Sequence, residues 1–234
     1  MEQAQSTPPF IVPLWFGLMA VVTVALVVHR QRTADRRRAA IDAFLAASGW
    51  SRLEGAAHLA RQWRGSPFDW GLLDPQANEV LTGRVRGFDV VSFDYSYKTN
   101  KHRMHFHVVA LRLPVPLPLL ELGPEGILGV PVPGFTDKDH QLESEAFNKA
   151  WKVTSPDPRF AHAILTPRLM EWLMTAQGER FRIEGADVLT WRSGTQRLDT
   201  ILHDADRLAI IAAAVPTHVW REHGFDPAAA PDAR

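Results

Sequence analysis

The feature that most constrains this chain lies near its start. Residues 10–28, FIVPLWFGLMAVVTVALVV, run for 19 positions without a charge. As a helix this stretch spans roughly 28 Å, close to the bilayer's hydrocarbon core of about 30 Å. Only Thr23 is polar, and its hydroxyl can bond back to a carbonyl one turn earlier. Pro13 falls in the first turn, where a missing N–H costs little, and Trp15 with Phe10 and Phe16 suits an interface. The preceding MEQAQSTPP holds no lysine or arginine, so a cleavable signal peptide does not fit. A buried core helix with so long an apolar run would be unusual in a domain of this size. After Val28 comes HRQRTADRRR, whose Arg30, Arg32, Arg36, Arg37 and Arg38 form a positive-inside topology signal.

The expectation from these features is a single-pass protein of the inner (plasma) membrane. Its short N-terminus (residues 1–9) lies outside, a transmembrane helix spans residues 10–28, and a basic juxtamembrane segment covers residues 29–40. A cytoplasmic domain then occupies residues 41–225, before a disordered tail, DPAAAPDAR, over residues 226–234. The bilayer is thus one expected partner, through residues 10–28.

Composition narrows the chemistry. With 26 basic and 26 acidic side chains the total is neutral, yet residues 1–40 carry +3 and the remainder −3. That balance gives no basic footprint for nucleic acid. The absence of cysteine excludes disulfides, thiolate metal sites and cysteine nucleophiles. Arginine outnumbers lysine 21 to 5, in keeping with a GC-rich genome.

The soluble part reads as α+β. Ile41, Phe44 and Leu45 share a helical stripe that Gly49 stops. Residues 51–78, with Leu59, Trp63, Phe68, Trp70 and Leu72 among Gly and Pro, read as irregular or partly helical. Residues 79–97 read as two strands turning at Arg86-Gly87, and residues 102–113 as a third. A four-residue loop over residues 98–101, KTNK, would pair Tyr95 with Met104, Phe93 with Phe106 and Val91 with Val108 on one apolar face. The other face would pair Ser96 with Arg103, Asp94 with His105 and Ser92 with His107. Residues 113–134 hold six prolines and read as extended edge or loop, because proline cannot donate to a ladder. Residues 147–154 suggest another strand. Asp157-Pro158 and Thr166-Pro167 each open a helix, the second ending near Gly178. Residues 180–184 and 187–192 suggest a hairpin around Gly185. From Leu198 to Val215 runs the clearest amphipathic helix, ended or kinked by Pro216. A strand meander closed by such a helix is similar, at fold level only, to pleckstrin-homology-like architecture, and assigns no lipid.

Asp94, His105 and His107 are the candidate metal ligands: two imidazoles two apart on a strand with a carboxylate opposite could hold zinc or non-haem iron. Ser92, Asp94 and His105 also include the residue types of a hydrolytic triad. Against both stands the ordinary wet face of an antiparallel sheet. No G-x-S-x-G elbow, HExxH, phosphate-cradling loop or dinucleotide fingerprint occurs. The acidic residues 136–145, TDKDHQLESE, lack EF-hand spacing and the turn glycine. No cofactor is expected.

The succession LESEAFNKAWKV, DPRFAHAILTPRLMEWL, RFRIEGADVLTW and a closing amphipathic helix, behind an anchor and FDYSYKTNKHRMHFHVVALRLPVPLPLLEL, resembles a family of bacterial membrane proteins, largely actinobacterial and single-pass, grouped as a domain of unknown function. The resemblance covers roughly residues 41–215. It implies an architecture and carries no catalytic residue set. The function expected is therefore a membrane-anchored cytoplasmic binding or scaffold module with a protein partner at the membrane, rather than an enzyme. The alternative is a membrane-bound, metal-dependent enzyme using Asp94, His105 and His107.

Overall fold

The computed structural model describes residues 11–68, 73–124, 145–175 and 180–229, with side chains from residue 19 onward. The chain divides into two units, Met1–Ser48 and Gly49–Arg234.

The first unit is one helix, α1 (Ile11–Ser48). Its small hydroxyls all bond back one turn: Thr23 Oγ1 donates to Met19 O, Thr33 Oγ1 to His29 O and Ser48 Oγ to Phe44 O, at 2.7–2.9 Å. Gly49, at φ +71°, follows its last residue. Among the described residues no helix is long and apolar enough to cross a membrane. The single-pass topology with a cytoplasmic domain is corrected on that finding.

The second unit is α+β, built on one antiparallel sheet. Its strands are β1 (Ser51–Arg52), β2 (Leu73–Val85), β3 (Phe88–Lys98), β4 (Arg103–Pro124), β5 (Trp151–Thr154) and β6 (Phe181–Ser193). They follow the order β1-β2-β3-β4-β5, and β6 also pairs with β4. A 3₁₀ turn (Ala56–Arg61) precedes β2. The helices are α2 (Glu145–Ala150), α3 (Pro158–Ile164), α4 (Pro167–Thr175), α5 (Ile201–Ala214) and α6 (Thr217–Glu222).

The β2–β3 hairpin turns at Arg86-Gly87 as the sequence suggests. Both residues have positive φ (48° and 86°), the geometry a two-residue hairpin turn requires. The β3–β4 register is two residues away from the expected one: Tyr95 faces Phe106, Phe93 faces Val108 and Tyr97 faces Met104. The cause is Thr99. Its hydroxyl donates to His102 O (2.7 Å) and accepts from His102 N (3.1 Å), so the loop closes on Lys98 and Arg103, one position later than expected. A two-residue slip keeps every side chain on its expected face.

The proline-rich stretch departs further from expectation, because β4 continues through it to Pro124 while paired with β6. That ladder skips between Arg112 and Leu117 and again between Leu117 and Leu120. Pro114, Pro116 and Pro118 fall in these two gaps, where no N–H is demanded of them. Opposite Leu117 stands Gly185 (φ 59°), and here the expected hairpin is instead a bend within one strand. Thr190 Oγ1 donates to Arg180 O at 2.7 Å, across ten positions that a straight strand would separate by about 33 Å.

Elsewhere the expected strand at residues 147–154 is helix α2 followed by the shorter β5. Asp157 caps α3, accepting from Arg159 N and Phe160 N, and Thr166 Oγ1 accepts from Leu169 N at the start of α4. Leu198 lies outside α5, which begins at Ile201. Asp226 accepts from Ala228 N and Arg221 Nε. Trp70, Leu72, Gly178, residues 1–9, the acidic residues 136–144, residues 125–134 and the tail beyond residue 229 lie outside the described residues.

Two layers close the sheet. On one face Phe93, Tyr95, Val108, Ala110, Leu189 and Trp191 meet Trp63 and Phe68 from the segment after the 3₁₀ turn. Trp63 stacks on Phe93 at 6.0 Å, and Phe68 lies 5.1 Å from Tyr95 and 5.6 Å from Trp191. The opposite face, with Leu81, Val90, Leu111 and Val188, packs under α5, whose Ile201, Ala205, Leu208 and Ala209 are buried. Arg86 at the hairpin turn donates twice to Asp206 of α5.

Candidate functional site

The face expected to be wet is not. Ser92 and Ser96 are wholly buried, and His107 is 3% exposed. The cover comes from far along the chain: Gln196 and Arg197, in the link from β6 to α5, lie over it.

The side-chain pairs named from the sequence do form, although the directly opposite residues differ. His105 Nδ1 meets Asp94 Oδ1 at 3.0 Å, His107 Nε2 meets Ser92 Oγ at 3.0 Å, and Arg103 donates to Ser96 Oγ at 2.9 Å. These are diagonal neighbours across β3 and β4, within reach of longer side chains. The three metal candidates therefore sort into separate pairs: Asp94 is taken up by His105, while His107 turns to a serine. Among the described residues no group of three His, Asp or Glu side chains is placed to hold a metal ion.

The triad arrangement fails in the same way, and proton positions explain why. The Arg197 backbone N–H donates to His107 Nδ1 at 3.4 Å. An N–H can only donate, so Nδ1 is the accepting nitrogen and the neutral ring carries its proton on Nε2. That proton points at Ser92 Oγ, which also accepts from Gln196 Nε2 at 3.1 Å. A base for Ser92 would need the opposite tautomer, and Ser92 is sealed from solvent. The chemistry available here is cohesion: the link to α5 is hydrogen-bonded to the sheet. Beside it Arg192 of β6 pairs with the buried Asp204 of α5.

A second polar cluster, on the aromatic face, was not singled out from the sequence. Arg182 is 1% exposed. It donates to Glu121 Oε2 through Nε (3.0 Å) and Nη2 (2.7 Å), and to the backbone carbonyls of Arg64 and Ser66. Its guanidinium lies 4.7 Å from the Trp191 ring centre. Glu184 accepts from Arg64 N at 3.0 Å and stands 3.5 Å from Arg182. Burial pushes its carboxyl above the usual glutamate range, against the pull of Arg64 N–H and Arg182. Asp187 accepts from Gln62 Nε2, Trp63 Nε1 and Arg112. Three acidic or basic residues of β6 thus hold residues 62–66 onto the sheet. The signal was present in RFRIEGAD, where charges at residues 180, 182 and 184 alternate with apolar residues along the first arm of the expected hairpin.

At the open end of the hairpin, Asp74 is held well below the usual carboxylate range by hydrogen bonds from Lys98, Gln76 and Arg103. This cluster is exposed and ties the start of β2 to the hairpin tip.

No protein-family model and no curated protein matches the chain. Among solved structures it is similar to the crystal structure of the mycobacterial trehalose monomycolate transport factor A, TtfA. The TM-score is 0.50 at 16% sequence identity, over 74% of this chain and 93% of that chain. At such identity the likeness shows the fold. It agrees with the largely actinobacterial resemblance read from the sequence at that level alone.

Proposed function

We propose that this chain is a non-catalytic accessory module that works by binding a protein partner. The observation that carries this reading is the wiring of the polar face. Every residue that sequence chemistry nominates for catalysis is engaged in holding the fold together, and Ser92 faces the donor side of its histidine. The fold it shares with a protein described as a transport factor supports an accessory role. By analogy, the partner would belong to a transport machinery.

The test is affinity purification of the full chain from its own cells beside a form beginning at Gly49, where the second unit starts. A partner retained in fixed proportion by the full chain is the expected result. Retention should persist in His105→Ala, because His105 pairs only at the margin of the polar face. Loss of metal or of a turnover activity on the same substitution, with no partner recovered, would overturn the reading in favour of an enzyme.

A further inference from the structure

We infer that His107 is an acid-released latch on the link between β6 and α5. The link, residues 194–200, leaves the sheet at Gly194 (φ +107°), whose N–H still donates to His105 O at 2.9 Å. Beyond that residue it is fastened to a single pair on the sheet. Gln196 Nε2 donates to Ser92 Oγ at 3.1 Å, and the Arg197 N–H donates to His107 Nδ1 at 3.4 Å.

The Arg197 tie exists only while the ring is neutral. A proton on Nδ1 turns that nitrogen from acceptor to donor, so it meets the Arg197 N–H donor against donor. The bond between Nε2 and Ser92 is untouched, and the conflict falls on the link. With the ring 3% exposed, water does not take up the new N–H while the link is closed. The charged groups around the ring are engaged elsewhere. Asp94 of β3, opposite His107, is bonded to His105 on β4, and Arg192 of β6, also opposite, pairs with Asp204 of α5. Asp199 of the link lies within electrostatic reach of the ring but is held by Arg197 Nε and Nη2. Lifting the link lets both the imidazolium and the Arg197 N–H reach water. Because the closed form holds a neutral ring, closure is fullest above the ordinary imidazole value of about 6.5 and weakens as pH falls below it.

The experiment follows amide hydrogen exchange in the full chain by NMR between pH 7.5 and 5.5, with rates corrected for the pH dependence of exchange itself. For one proton, protection at the Arg197 amide should fall about tenfold across that range, while Phe93 and Val108 in the sheet keep theirs. Unchanged protection at Arg197 would overturn the inference. So would an equal fall at Phe93 and Val108, which would mean that the whole domain unfolds in acid. His107→Gln carries no titrating ring, and its Arg197 amide should be protected alike at both pH values; a fall matching the parent's would sink the latch. If that variant does not fold, the ring nitrogen shifts of the parent decide. Nδ1 should gain its proton in step with the loss at Arg197, and a ring that stays neutral while protection falls would remove His107 as the cause.

Discussion

The two faces of the sheet are both closed, by different materials. One is sealed by aromatic rings from Trp63 and Phe68, carried on a segment that Arg182, Glu184 and Asp187 fasten through backbone and side-chain groups. The other is sealed by α5, with Ser92, His107 and Gln196 bonded to one another beneath the link that leads into it. The first closure places a charge network behind an apolar one. The second mixes neutral polar pairs into an apolar floor. Burial alone therefore does not distinguish a structural face from a chemical one in this molecule. What distinguishes them is whether a buried polar group has spare capacity: Ser92 and His107 are engaged with each other, whereas on the aromatic face Glu184 Oε2 is buried with no hydrogen-bond partner.

The contrast can be broken most sharply at Arg182. Replacing it by methionine keeps much of the packing against Trp191 but leaves Glu121 without its cation and two carbonyls without a donor. The expected loss is about 3–5 kcal/mol in urea unfolding. A loss below about 1 kcal/mol would mean that the aromatic contacts alone secure residues 62–68.

On the other face the groups are neutral and the effect is smaller. His107→Phe should cost about 1–3 kcal/mol, because Ser92 and the Arg197 N–H lose a partner in a buried site. Adding Ser92→Ala should recover part of that loss, since removing both members of a pair is cheaper than orphaning one. A double variant no better than the single one would show that the Arg197 contact, or the Gln196 Nε2 donor that Ser92→Ala deprives of its acceptor, carries the cost.

The smallest effect concerns Glu184, and its sign is opposite. Its carboxyl is raised in the folded protein, so the folded chain binds the proton more tightly than the unfolded chain does. Stability from this group is therefore present at low pH and is lost as pH rises from the ordinary glutamate range through the raised folded value. Glu184→Gln should accordingly be slightly more stable than the parent at pH 7, and the advantage should vanish near pH 4. Melting curves at the two pH values test this, and an advantage that grows toward acid would reverse the assignment.

Much of the sheet was legible because period-two alternation is a local signal. The Arg86-Gly87 turn, the three central strands and the sorting of residues between faces all follow from it. Four things were not legible, each for a physical reason. The loop register depended on the Thr99 hydroxyl, a side-chain bond that no hydropathy pattern encodes. The prolines of β4 were read as ending the strand because the rule assumes a regular ladder, and here the ladder itself skips. The polar face was read as wet because its cover, residues 196–214, lies about a hundred positions further on. The same distance hid the role of Arg182, whose partners sit at residues 64, 66 and 121.

That separation also orders events during synthesis. The three strands that carry the polar face are complete by residue 124, but α5 cannot fold over them until residue 214 has been made. For some ninety residues of translation the nascent sheet must wait with that side uncovered, when transient apolar surface invites wrong contacts. Serines and a histidine among the valines and leucines of that side give water something to bind in the interval. The same groups pair with one another and with the link into α5 once residues 196 and 197 have been made.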